Sequence, residues 1–235
     1  MKIDSLFRLL YIPENFQKFL TIFNEVYTKL GVYKEQSYWH LIEQYNNTPN
    51  YLRLFENSQY MSFAYDALKE FKMDQRRARL VPYSQFESFL VSQKLRLHGL
   101  SRYKMEELTL DKMALSNLFS EFQVLFKQLN VMASGSKLVG VSKALHFMLP
   151  NLVMPVDGDS VLRFCYGSNY VPPSLDAQFE RFKEVFQRYT DLTRHLGLKV
   201  SNADGNWWNI SVPKRIDNAI AGFWVGLKKG MLRFS

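Results

Sequence analysis

Cysteine is almost missing from this 235-residue chain, with Cys165 the sole example. One thiol excludes an internal disulfide framework and a cysteine-based zinc site, and it suits a reducing compartment. Glycine (11) and proline (8) are sparse and scattered, too few turn formers for a sandwich or barrel of short strands. No apolar run approaches the roughly 18 residues that a membrane-crossing helix requires, and Met1-Lys2-Ile3-Asp4 does not open a secretion signal. Also missing are a Gly-x-x-x-x-Gly-Lys phosphate loop, a Gly-x-Ser-x-Gly elbow and a His-x-x-x-His pair. No cofactor and no metal ion are expected, and a cytoplasmic protein without membrane contact is the default.

The chain is rich in rings and in positive charge. Nineteen Phe, 13 Tyr and 4 Trp make 15% of the residues, and 30 Lys plus Arg against 22 Asp plus Glu leave a formal charge of +8. With 47% hydrophobic and 22% charged residues the chain is a folded globular protein rather than a basic tail. Bases stack on aromatic rings, but so do core neighbours, and the core is the commoner use.

Apolar residues recur at steps of three and four through most of the sequence, so an all-α fold is expected. Helices are read over residues 13–31, 34–46, 50–73 (one or two), 111–132, 174–197 and 213–230. A further helix over 84–97 has Ser84 and Glu87 at the capping-box spacing, with His98-Gly99 as its stop. The Asn-Ala-Asp-Gly run allows a small hairpin near residues 199–212. A seam near residues 100–110 divides the chain into an N-terminal helical region, 1–105, and a second region, 106–235, unless the two form one compact domain.

The basic excess is localised. Residues 72–104 carry Lys72, Arg76, Arg77, Arg79, Lys94, Arg96, Arg102 and Lys104 against Asp74 and Glu87. Residues 213–235 carry Lys214, Arg215, Lys228, Lys229 and Arg233 against Asp217. Either cluster alone is an ordinary solvated surface; convergent, they suit a nucleic-acid backbone.

The stretch from Gly135 to Arg163 holds the most chemistry. A long helix leads to the turn Ala133-Ser134-Gly135-Ser136. A short apolar helix follows, stopped by Pro150, and then an extended Met154-Pro155-Val156 delivers Asp157 to the start of another helix. Backbone N–H groups at such a turn can hold a phosphate, and a carboxylate is favoured at a helix start. Asp157 with Asp159 serves equally as a simple cap. Lys143 taken alone is an ordinary surface lysine, and if the helix begins at Ser136 it falls mid-helix with Lys137 at the mouth.

Gly140-Val141-Ser142-Lys143, Pro155-Val156-Asp157 and the run from Pro213 to Ala219 together resemble the helix-hairpin-helix DNA glycosylases, in particular bacterial 8-oxoguanine glycosylase-like proteins. The resemblance covers about residues 108–225. It implies a helix-hairpin-helix element whose Gly140, Val141 and Ser142 contact phosphate, Asp157 as the catalytic carboxylate and Lys143 as the Schiff-base nucleophile. His146, Trp207 and Trp208 would then line or support the base pocket. Arg76, Arg77, Arg79, Lys137, Lys214 and Arg215 would face the DNA backbone. Double-stranded DNA is the implied partner, with a nucleoid location if the source is bacterial, and removal of an oxidised purine after base flipping the implied reaction. Two other readings remain: a non-catalytic helix-hairpin-helix nucleic-acid-binding protein, and a helical protein-interaction subunit.

Overall fold

The computed structural model describes residues 4–29, 36–75, 78–108, 112–135, 137–200 and 207–232. These residues are mostly helical, with no strand among them and one isolated antiparallel bridge, Leu80 to Met132. The α-helices are α1 (Asp4–Arg8), α2 (Pro13–Lys29), α3 (Gln36–Asn47), α4 (Ser58–Glu70), α5 (Tyr83–Ser92), α6 (Lys94–Ser101), α7 (Lys112–Gln128), α8 (Leu138–Met148), α9 (Arg163–Tyr166), α10 (Leu175–His195) and α11 (Val212–Lys228). One buried apolar cluster runs from Phe7 to Leu232, across the seam expected near residues 100–110.

The long helices follow their apolar period. Ser174 caps α10 by accepting from the Ala177 N–H at 3.2 Å. Ser211 caps α11 in the same way, with Pro213 in the first turn. The pairing of α2 with α11 is the most extensive between helices, and Phe19 meets Phe223 edge to face at 5.3 Å. Gly222 permits it, because a Cβ there would collide with the Phe19 carbonyl oxygen.

Three local expectations fail. Ser84 lies inside α5, which already begins at Tyr83 after Pro82, so its hydroxyl is not a cap; Glu87 instead accepts from the Tyr83 hydroxyl at 3.1 Å. The helix breaks at Gln93, and His98 and Gly99 sit within α6 rather than ending it. No hairpin forms in the described part of residues 199–212, where Trp207–Asn209 make a 3-10 turn and Val212 opens α11. Residues 201–206, with the turn sequence, lie outside the described residues.

Helix α8 positions the site. All its residues except Val139 are buried, and it packs against α3 and α4 from one half of the chain and α10 from the other. A helix buried on every side is expected to be apolar, yet α8 carries Ser142, Lys143 and His146. Each is satisfied by the extended stretch that follows. The Ser142 hydroxyl accepts from the Val156 N–H at 3.1 Å, Lys143 reaches Asp157, and His146 Nδ1 lies 2.7 Å from the Val153 carbonyl. These three ties lay residues 153–157 along α8.

Candidate active site

Asp157 ends that stretch with extended backbone, and its Oδ1 accepts from the N–H groups of Asp159 (2.9 Å) and Ser160 (3.0 Å). The next turn, Gly158–Leu162, is a π-helix, a distortion common at functional sites. The other carboxylate oxygen, Oδ2, lies 3.2 Å from Lys143 Nζ. Burial opposes ionisation of the Asp157 carboxyl. The Lys143 ammonium and the two N–H donors outweigh it, so the group is held below its ordinary range. The lysine is buried while the aspartate is half-exposed, so the pair faces outward through its anion.

Two spaces meet at this pair. The inner one is an aromatic cavity of about 170 Å³ whose walls include Tyr38, Phe71, His146, Trp208, Lys214 and Asn218. The outer one is an open groove of about 630 Å³ with Lys72, Gln75, Ser134, Asp159 and Asn169 on its sides. Phe71, Lys143 and Asp157 line both. The Lys143 ammonium stands 5.2 Å from the Phe71 ring centre.

His146 is neutral here. Its Nδ1 must donate to the Val153 carbonyl, which leaves Nε2 to accept from the Tyr38 hydroxyl at 2.8 Å. Burial, reinforced by the nearby Lys214 charge, lowers its pKa to about 3. Trp208 also lines the cavity and donates from Nε1 to Asn24 Oδ1 at 2.7 Å. Trp207 opens the 3-10 turn, and its side chain lies outside the described residues.

The hairpin residues are placed differently from expectation. Gly140, Val141 and Ser142 lie within α8 and are buried, because the helix starts at Leu138, earlier than the resemblance requires. At the mouth of α8 the side chain of Gln178 stands where a phosphate was expected. Its Oε1 accepts from the Lys137 and Leu138 N–H groups at 2.8 and 2.9 Å, while its Nε2 donates to the Gly135 carbonyl at 3.0 Å. Gly140 serves packing, since a Cβ there would collide with the Met132 side chain.

The backbone-facing set also divides. Lys214 is buried in the cavity wall, its Nζ donating to Asp217 Oδ2 at 2.7 Å, and is no surface group. Arg215 donates from a terminal guanidinium nitrogen to the Lys199 carbonyl at 2.8 Å. Lys137 is half-buried and donates to Asn130. Arg79 is exposed, and Arg76 and Arg77 lie outside the described residues. Sequence reasoning missed Tyr38, Phe71, Asp217 and Asn218. The first two sit on core-facing stripes and read as packing. Asp217 and Asn218 had a signal: with Lys214 they are polar at i, i+3 and i+4, on one face of the helix.

No known protein family, curated protein or solved structure matches the chain.

Proposed function

We propose that the chain is a DNA base-excision glycosylase with lyase activity, acting on a base flipped out of the duplex. One observation supports this reading above the others: a lysine amine and a carboxylate 3.2 Å apart at the waist between a ring-sized aromatic cavity and an open groove. A flipped base would occupy the cavity, its sugar would lie at the waist, and the strand would follow the groove.

The chemistry follows from the pair. As the C1′–N bond breaks, the base departs with its electron pair and takes a proton from the Lys143 ammonium. Asp157 stabilises the positive charge developing at C1′. The freed Lys143 amine then attacks C1′ and passes the proton released on bond formation to Asp157; Asp157 returns that proton to O4′ as the C1′–O4′ bond breaks, and the resulting Schiff base allows strand cleavage by elimination. His146, neutral and fixed by two hydrogen bonds, would orient Tyr38 in the cavity wall.

The substrate class, an oxidised purine, rests on the resemblance of the Pro155-Val156-Asp157 and Pro213 to Ala219 stretches. The test is release of free base from duplexes carrying 8-oxoguanine and a panel of other lesions. The wild-type chain is expected to release one of them, and Asp157→Asn to lose at least 100-fold in rate while binding duplex unchanged. Release from no lesion, with duplex still bound, would establish the non-catalytic nucleic-acid-binding reading, in which Asp157 is only the cap of the π-turn. Failure to bind duplex would leave a helical protein-interaction subunit.

A further inference from the structure

Helices α4, α10 and α11 end in the same left-handed turn. After α10, the Gly197 N–H donates to the Arg194 carbonyl at 3.2 Å and the Leu198 N–H to the Thr193 carbonyl at 2.9 Å. After α11, Gly230 and Met231 donate in the same way to Leu227 and Gly226, at 3.1 and 2.8 Å. Both glycines have positive φ, +60° and +70°, where a side chain is unfavourable. After α4 it is Lys72 that closes the turn, donating to the Lys69 carbonyl at 2.8 Å while Met73 donates to Leu68 at 3.0 Å. With a φ of +60°, Lys72 is the one non-glycine residue of positive φ among the described residues. Glycine would make this turn without the steric cost, so the turn itself does not account for the lysine.

Its place does. Lys72 lines the outer groove with Phe71, Lys143 and Asp157, and neither Gly197 nor Gly230 lies there. Of the two lysines on the groove, Lys143 is held by Asp157, whereas Lys72 is exposed and pairs with no described residue. The turn before α8 offers no alternative grip on an anion, because Gln178 already accepts from its Lys137 and Leu138 N–H groups. Among the described residues lining the groove, the free cation is therefore Lys72.

We infer that Lys72 holds a backbone phosphate flanking the extruded nucleotide, and that the left-handed turn fixes where its side chain leaves the chain. A phosphate oxygen accepts from Lys72 Nζ, a charge-assisted bond. A costly backbone conformation is thus retained for the contact that its side chain makes. This deepens the base-excision reading and rests on it for the sugar lying at the Lys143–Asp157 waist.

The test uses the full chain and a duplex with a tetrahydrofuran abasic analogue at the extruded position, intact or with an uncharged methylphosphonate replacing the phosphate on its 5′ or its 3′ side. At fixed salt, one of the two replacements is expected to weaken wild-type binding at least fivefold. Lys72→Gly should weaken binding of the intact duplex by a similar factor and lose sensitivity to that replacement, so that the two losses do not add. Lys72→Arg should keep the sensitivity. The urea midpoint of Lys72→Gly should equal or exceed that of the wild type, because glycine suits the turn. Losses that add, no loss from either replacement, failure to bind the analogue duplex, or a lowered midpoint, which would make the lysine part of the fold, would each overturn the inference. Base release from a lesion duplex alongside such a result would leave excision standing. Coupling of Lys72 to one phosphate with no release from any lesion would keep the contact and remove excision.

Discussion

Lys143 is a cation in the middle of an apolar helix, and a single carboxylate is its counter-ion. Asp157→Asn keeps an oxygen to cap the π-turn but removes that charge. Stability should fall by about 1–3 kcal/mol at pH 7, less than for a wholly buried pair because Asp157 is half-exposed, as read by urea denaturation. Since the folded pKa of Asp157 lies below its unfolded value, its contribution is present above about pH 4 and disappears as pH falls through the folded value. His146 acts in a different window. Its folded pKa, lowered to about 3, lies below the unfolded 6.5, so the unfolded chain gains a proton that the folded chain refuses. Stability is complete above pH 6.5 and declines below it, by about 2 kcal/mol between pH 7 and pH 5. His146→Gln should flatten that decline in a pH series of melting curves; an unchanged slope would show that another group causes it.

At the scale of elements, two close approaches hold the site's frame. Gly222 lets α11 approach the α2 backbone at Phe19, and Gly222→Ala should cost at least about 2 kcal/mol, because backbone cannot move aside as a side chain can. Gln178 closes the turn before α8 with three hydrogen bonds. Gln178→Leu should cost about 1–3 kcal/mol by leaving those groups unmet, measured in the same denaturation assay. The helices around these two points were legible in the sequence, because α2, α7, α10 and α11 each present a full apolar stripe. The break at Gln93 was not, since Leu90 and Leu97 continue the stripe through it and no Gly or Pro marks the stop. The Ser84-Glu87 spacing misled for a related reason: Pro82 had already started the helix. Gly140-Val141-Ser142 was legible as a backbone feature but not as a buried one, because the side chain that closes the turn, Gln178, lies about 40 residues away.

The whole molecule assembles its site from both halves of the chain, with Tyr38 and Phe71 from the first and Lys143, Asp157 and Lys214 from the second. Lys143 and Asp157 were readable as a pair of motifs; their aromatic walls were not, since only tertiary packing brings those rings to them. The basic excess separates on the same scale. Lys72 lies on the groove beside Lys143, whereas Lys228, at the far end of α11, is 14 residues and so about 20 Å along the helix from Lys214. Lys72→Glu with Arg79→Glu should weaken duplex binding and lower the slope of log affinity against log salt by about one for each phosphate left without its cation. Lys228→Glu should change both less. The proposed lyase chemistry depends most directly on the Lys143 amine. Incubation with a lesion duplex and borohydride, followed by peptide mass mapping, should yield a covalent DNA adduct on Lys143 that is absent in Lys143→Gln. An adduct on another residue, or none with any lesion that the protein binds, would contradict it.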